Sequence, residues 1–378
     1  MSDAMTADVI IIGGGVAGLS AACFLSGFAQ VTLLEREPAL ATQSSARTAG
    51  QFTAGISANT MRALAAASRA FFQAPPPEFC EQTLVAPRGC LTVGREEHRP
   101  VLDRLMARLQ EAGSDCRLVD RQEALDLFPA LRPERVHAGV FEADAMDIDV
   151  DLLLQSYRKA AAANGARFVC KTEVTSIRRI ADTWQVTAGD RTVSAPVLVN
   201  AAGAWADRIA DLAGVPALGL KAFRRSAFTF PLHRQDAGVW PHVTTADYTW
   251  YVHPQPHGFT ASPAEADPVS PGEVYADDLR LAEAIHHIGI DTELAVPRPS
   301  ASWAGLRTFA PDRNPVCGGF PDHPGYFVSA GQGGCGVLTS PAMGRALTAL
   351  VAGRNLPGDL SACGITQDQL APGRFLQA

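Results

Sequence analysis

The chain has 378 residues, a formal net charge of -7 at pH 7, 47% hydrophobic and 19% charged residues. At roughly 150 residues per domain this is a globular protein of two or three domains with room for a large core, which excludes disorder, a collagen-like repeat and a small disulfide scaffold. The acidic balance argues against nucleic acid as a partner, because a phosphate backbone calls for a basic footprint.

In chain order, Asp8–Ile12 is an apolar β-branched run bounded by glycines and reads as a fully buried strand. Val16–Ser26 follows helical spacing, and Val31–Leu34 is a second apolar strand that ends at Glu35. Together they form a βαβ unit. The apolar stretch Val9–Phe28 approaches membrane-spanning length, but it contains Gly13, Gly14, Gly15, Gly18 and Gly27, and strand–turn–helix explains it better. Ser44–Ile56 is small and polar, suited to a loop against a ligand. Met61–Phe72 is a helix stopped by Pro75-Pro76-Pro77.

Asp151–Asn164 is an amphipathic helix closed by Asn164-Gly165, and short strands follow near Arg167–Val169, Val174–Arg178 and Trp184–Ala188. Pro196–Asn200 is a further strand leading into Ala201–Trp205. The proline-rich stretch Ala222–Val296 reads as antiparallel sheet and loops. Tyr326–Ala330 is again a buried strand, followed by the turn Gly331–Gly336 and a helix to about Ala352. The expected fold is α/β: a Rossmann-like dinucleotide-binding domain in three discontinuous segments (1–80, 145–220 and 305–378), with an antiparallel-sheet α+β substrate domain made of 81–144 and 221–304.

Gly13-Gly14-Gly15-Val16-Ala17-Gly18 fits G-x-G-x-x-G between a strand and a helix. The first glycine makes the tight turn, the second admits a pyrophosphate, the third permits close packing, and the helix N-terminus favours the negative charge. Glu35 at the end of the next strand suits ribose hydroxyls. The pattern alone does not choose between NAD and FAD. The eight cysteines contain no Cys-x-x-Cys pair, and with no signal-peptide pattern at the N-terminus they read as free thiols of a cytoplasmic protein. Metal ligation is not expected: His253 and His257 flank prolines, His286 and His287 are adjacent and expected to point apart, and the Asp144–Asp151 acids lack the glycine and glutamate of a calcium loop.

Five blocks carry a resemblance over nearly the whole length: Asp8–Gly18 with Leu33–Glu37, Ser44–Gly50, Val199–Trp205, Trp303–Arg307 and Gly331–Gly336. In these the chain resembles the D-amino-acid oxidase-like FAD-dependent oxidoreductases. Through Arg62–Phe72, Phe79–Glu81, Arg224–Phe228 and Ala261–Pro268 it is most similar to the bacterial FAD-dependent D-arginine and D-amino-acid dehydrogenases within them.

The resemblance implies FAD held by Gly13, Gly15, Val16, Ala17, Gly18, Glu35, Arg36, Ser44, Ser45, Arg47, Thr48, Ala49, Gly50, Val174, Ala202, Gly203, Trp205, Gln332, Gly333, Gly334, Gly336 and Val337. In this set Arg47 could bring charge to the ligand and Val174 could equally be plain core. The amides of Gly331–Gly336, Gly334 among them, would stabilise charge on the reduced flavin. Arg307, Arg225 and Tyr251 are expected to hold the substrate carboxylate, a planar bidentate match for guanidinium.

The implied reaction is oxidative deamination of a D-amino acid to a 2-oxo acid and ammonia, by hydride transfer from Cα to flavin N5, with a quinone or other acceptor reoxidising the flavin. Oxidation of a 2-hydroxy acid or an N-methyl amino acid, or a non-catalytic electron-relay subunit, are the alternatives. Gln51, Ile56, Cys90 and Leu338 occupy the positions of the side-chain pocket. There they remove the acidic partner of a guanidinium and predict an apolar pocket that takes neutral or hydrophobic D-amino acids in preference to D-arginine.

Overall fold

The unbroken run Val9–Ile12 forms a strand with every residue buried, as its lack of polar alternation requires. In the computed structural model, which describes residues 4–231, 237–256 and 258–376, this strand is central in a six-stranded sheet. The order is Arg167–Val169, Val31–Leu34, Val9–Ile12, Val197–Asn200, Tyr326–Ala330 and Val316–Gly319. The first five are parallel and the last is antiparallel. Sequence-distant strands thus complete one nucleotide-binding type of sheet, flanked by the helices Val16–Leu25, Val150–Ala163 and Gly336–Val351. Asp149 starts the second of these by accepting the Leu152 amide at 2.9 Å.

The helix Gly336–Val351 contains Pro341, which cannot donate to the Val337 carbonyl. The Ser340 hydroxyl donates to that carbonyl instead at 2.8 Å, and Ser68 Oγ accepts the following Ala342 amide at 3.2 Å. The buried face Leu64, Ala65, Ser68 and Phe72 of the helix Asn59–Gln73 thereby docks onto this last helix. The interruption is repaired, and the N-terminus of the last helix stays aimed at the Gly331–Gly336 turn.

A ten-stranded, largely antiparallel sheet forms the other layer. Its spine is Lys221–Phe230 paired with Ala301–Phe309 on one edge and with Gly258–Ser262 on the other. One pairing is parallel: His242–Thr245 runs beside Cys90–Gly94, which joins two stretches of chain far apart in sequence. Residues 305–309 remain in this sheet with the rest of their strand, and Gln332–Gly333 pairs onto its edge. Smaller sheets of four strands (Ala4–Thr6 with 174–195) and three strands (Gln51–Phe52, Met146–Ile148 and Val85–Pro87) complete the fold.

Two helices depart from the sequence reading. Asp278–Asp291 is helical inside the stretch expected to be sheet and loop, its start fixed by Asp277, which accepts the Leu279 and Arg280 amides. His286 and His287 lie on this helix with ring centroids 5.8 Å apart, so they do not point to opposite sides. Arg99–Glu111 is the other, with Pro100 in its first turn, a position where the missing N–H costs nothing. Among the described residues no helix is long and apolar enough to cross a membrane.

Candidate active site

Two cavities meet where the sheets face each other, sharing Gly15, Ser44, Ser45, Ala201, Gly203 and Ala204. The first extends toward Glu35, Arg36, Val174 and Trp205, and the second toward Arg225, Tyr251, Arg307 and Gln332–Gly334. The result is one long, bent channel across the C-terminal ends of the parallel strands, where open α/β sheets bind ligands.

The glycine turn is cut to the shape of a dinucleotide cradle. Gly13 has φ +108°, and a Cβ there would lie 2.5 Å from the Ala201 carbonyl oxygen. At Gly18 a Cβ would lie 1.8 Å from the Gly13 carbonyl oxygen, so Gly18 serves helix–strand packing and does not touch the channel. Glu35 accepts the Gly14 amide at 2.6 Å through one oxygen and the Glu37 amide at 2.8 Å through the other, leaving lone pairs for ribose hydroxyls. The Arg36 guanidinium lies 4.0 Å over the Trp205 ring, which makes a flat wall beside Val174. Val174 stands at a register shift of its strand, buried but on the channel wall.

The Ser44–Gly50 loop is pinned at both ends. Ser45 Oγ accepts the Val16 amide at 2.9 Å, and Ser44 Oγ donates to the Leu306 carbonyl at 2.6 Å. The Val16 amide is therefore engaged within the chain and not free for phosphate. Arg47 is also a brace: its guanidinium donates to the Ala304 carbonyl at 2.8 Å, so the charge expected at the ligand is spent on holding the loop against the large sheet. Thr48 and Ala49 line the channel, whereas Gly50 is tied by its carbonyl to the Ile148 amide. Ala202, Gly203, Gln332, Gly333, Gly334, Gly336 and Val337 are all on the walls. The residues fit FAD: the glycine turn, Glu35 and the flat wall would take the adenosine half, and the Gly333–Val337 turn would lie along the flavin half.

At the far end, strand alternation separates two neighbouring arginines. Arg224 turns to Asp267 and Asp277 at 3.1 and 2.8 Å, while Arg225 turns into the channel. Arg225 Nε donates to the Glu265 carbonyl at 2.6 Å, and its Nη1 is buried without a partner. Burial, then the neighbouring charge of Arg307, pushes the Arg225 pKa down to about 10. A guanidinium so placed gains by meeting an anion. Arg307 lies against Gly334, where a Cβ would come within 3.0 Å of the guanidinium. Trp303 is half-buried and lines the channel.

None of Gln51, Ile56, Cys90 and Leu338 is on the walls of the two cavities. Leu338 and Ile56 belong to the apolar cluster around Phe52 and Ile148, because the first turn of the last helix points Leu338 away from the channel. Cys90 is buried one strand behind, its thiol pushed up to about 12 by burial and by Glu142. The parallel pairing sets His242 beside Cys90, and His242 and His253 are both buried. Asp147 receives Arg88 Nε at 2.7 Å and lies 2.9 Å from His253 Nε2.

Neither histidine lines the two cavities, and only the long-range pairing brings His242 beside Cys90. Tyr248 was missed. It holds the left-handed region at φ 59° and is 59% exposed, with Arg307, Cys90 and Arg225 close enough to act on it electrostatically. A non-glycine residue with positive φ in a tyrosine-rich hairpin was the only local signal available.

Residues 8–350 match the family described as "DAO: FAD dependent oxidoreductase". The chain is 26% identical over 380 residues to a glycine oxidase of Geobacillus kaustophilus, covering 95% of this chain and 97% of that protein. It is 25% identical over 368 residues to the mitochondrial sarcosine dehydrogenase of Homo sapiens, covering 90% of this chain and 39% of the relative. The crystal structure of glycine oxidase from Geobacillus kaustophilus superposes with a TM-score of 0.84 at 24% identity, covering 96% of this chain and 99% of the other. The narrower likeness to D-arginine dehydrogenases rests on the sequence motifs alone.

Proposed function

Since the chain belongs to the DAO family of FAD-dependent oxidoreductases, which act here on amino acids or N-methyl amino acids, we propose that it oxidises the Cα–N bond of a D-amino acid with an uncharged side chain. The segments 1–80, 145–220 and 305–378 would hold FAD, and 81–144 with 221–304 would form most of the substrate side. One observation carries the reading: Arg225 and Arg307 converge on the same end of the channel as the Gly333–Gly334 turn. A carboxylate clamped by the two guanidiniums is held beside the flavin half of the site, and this positioning supplies much of the rate.

Bound there, FAD would supply the two-electron acceptor as the amino acid loses its Cα–H and one N–H hydrogen to become an imino acid, which water hydrolyses to the 2-oxo acid and ammonia. The chain's own residues bind and orient. Arg307 and Arg225 fix the carboxylate, Tyr251 offers its hydroxyl from the channel wall, and the half-buried Trp303 limits water. An electron acceptor such as a quinone would regenerate the oxidised flavin.

A cationic side chain is disfavoured because the Asp147 carboxylate is answered by Arg88 at 2.7 Å and the oxygens of Glu142 by Thr53 and Ala54. The names of the relatives, glycine oxidase and sarcosine dehydrogenase, favour a second reading in which the substrate is glycine or an N-methyl amino acid. Turnover of D-alanine, D-leucine, sarcosine, glycine and 2-hydroxyglutarate by the purified holoenzyme decides between them. Ammonia release with the D-amino acids supports the proposal; turnover confined to sarcosine or to the hydroxy acid refutes it.

A further inference from the structure

The ladder of the large sheet breaks beside Arg225, and side chains fill the break. On one edge, Lys221–Phe230 pairs with Asp267–Val269 at 222–224 and with Gly258–Ser262 at 228–230. Among the described residues, 225–227 have no backbone partner on that edge, whereas the other edge is paired without interruption to Ala301–Phe309. The gap is spanned by the connection 263–266, part of the stretch Ala261–Pro268 that carries the narrower family likeness.

Ser226 sits in the middle of the gap and is fully buried. Its N–H and C=O face the gap, where they would be orphaned at a cost. Instead Glu265 Oε1 accepts the Ser226 amide, and Ser262 Oγ donates to the Ser226 carbonyl at 2.6 Å. The Ser226 hydroxyl accepts the Asp277 amide at 3.2 Å, on the strand face it shares with Arg224. Every polar atom of Ser226 is thereby engaged.

Glu265 also reaches Arg225. Its carbonyl accepts Arg225 Nε at 2.6 Å, so one residue holds the Ser226 peptide with its carboxylate and the Arg225 guanidinium with its backbone. Ala264, just before it, holds the left-handed region at φ 53° and donates its amide to Ser262 Oγ at 3.0 Å. A residue with a side chain keeps that conformation only where its surroundings impose it. Arg225 Nη1 and Glu265 Oε2 are both left buried without a hydrogen-bond partner. Burial and then Arg307 disfavour the charged guanidinium, and the Glu265 carboxylate works against both without occupying Nη1.

We infer that Glu265 is the positioning residue of the carboxylate clamp: in place of the sheet pairing that the strand lacks there, it fixes Arg225 through Nε and through Ser226 and leaves Nη1 for the substrate carboxylate. The inference rests on the reading of Arg225 as a carboxylate ligand and adds the group that aims it.

The test is made on the holoenzyme with 4-methylpentanoate, which is leucine without its amine and is not oxidised. Following the flavin absorbance during its titration gives a dissociation constant free of chemistry. A cycle of Glu265→Ala, Arg225→Ala and the double variant separates positioning from general damage. Glu265→Ala is expected to weaken binding at least about tenfold, the worth of a hydrogen bond to a charged group. In the Arg225→Ala background the same change should add less than about twofold, because Glu265 acts through that arginine. Glu265→Gln, which keeps an acceptor for the Ser226 amide, should restore most of the affinity. If Glu265→Ala does not retain flavin, Ser262→Ala, which removes the donor to the Ser226 carbonyl, takes its place in the cycle with the same expected sign. Unchanged binding in the single variant, losses that multiply in the double variant, or Glu265→Gln as weak as Glu265→Ala overturns the inference. Unchanged binding in Arg225→Ala refutes the clamp itself, and the positioning role falls with it.

Discussion

Arg307 and Arg224 sit on neighbouring strands of one sheet, and their surroundings assign them opposite roles. Arg224 is shared by Asp267 and Asp277 at the protein surface, so its charge is answered within the chain. Arg307 stands over Gly334 at the channel end, beside the unpartnered Nη1 of Arg225. Truncating a group that pairs a desolvated carboxylate typically costs about 2–5 kcal/mol in kcat/KM. Arg307→Ala should show a loss of that size with FAD still bound, whereas Arg224→Ala should stay within a few-fold of wild type. Parallel kinetics and flavin content check both. Asp147 gives a stability counterpart. Burial raises its pKa, but hydrogen bonds and charge from His253 and Arg88 outweigh this and hold it below 3.8. A depressed carboxylate contributes stability above the unfolded value and loses it as pH falls through the folded one. Denaturant titrations of wild type on acidification below 3.8 should therefore fall more steeply than those of Asp147→Asn.

Among the elements, the first strand, turn and helix were fully legible in the sequence, because their pattern is local: a buried β-branched run, a glycine turn and an apolar helix. The structure adds why Gly18 admits no side chain, since a Cβ there would lie 1.8 Å from the Gly13 carbonyl oxygen. Gly18→Ala should cost at least about 3 kcal/mol of stability, the upper range for overpacking, and yield protein that no longer retains flavin. Urea unfolding together with the visible absorbance of the purified protein measures both effects. The hairpin His242–Gln255 was not legible in the same way. Tyr251 was found by resemblance, yet His242 and His253 acquire meaning only from pairing with Cys90–Gly94 and from Asp147. Motif position likewise placed Gln51 and Leu338 at the site without giving the direction of their side chains. The helix Asp278–Asp291 was hidden by the prolines around it, although Asp277-Asp278 ahead of Leu279 was a usable start signal.

At the scale of the molecule, the two large sheets face each other across the channel, and groups from both line it. A ligand that spans this channel binds the folded protein alone and must stabilise it by mass action. Adding FAD to flavin-free protein should raise the melting temperature, and FMN, which lacks the adenosine half taken by Glu35 and the Arg36–Trp205 wall, should raise it much less; equal shifts would refute the assignment of that half of the channel. The central claim is that the arginine pair presents an amino acid's Cα to the flavin. Its most direct test is anaerobic mixing of the holoenzyme with D- and L-amino acids while the visible flavin band is followed. The account predicts rapid bleaching by an uncharged D-amino acid, abolished in Arg307→Ala. A flavin that stays oxidised with every D-amino acid, or that is bleached equally fast in the variant, would contradict it.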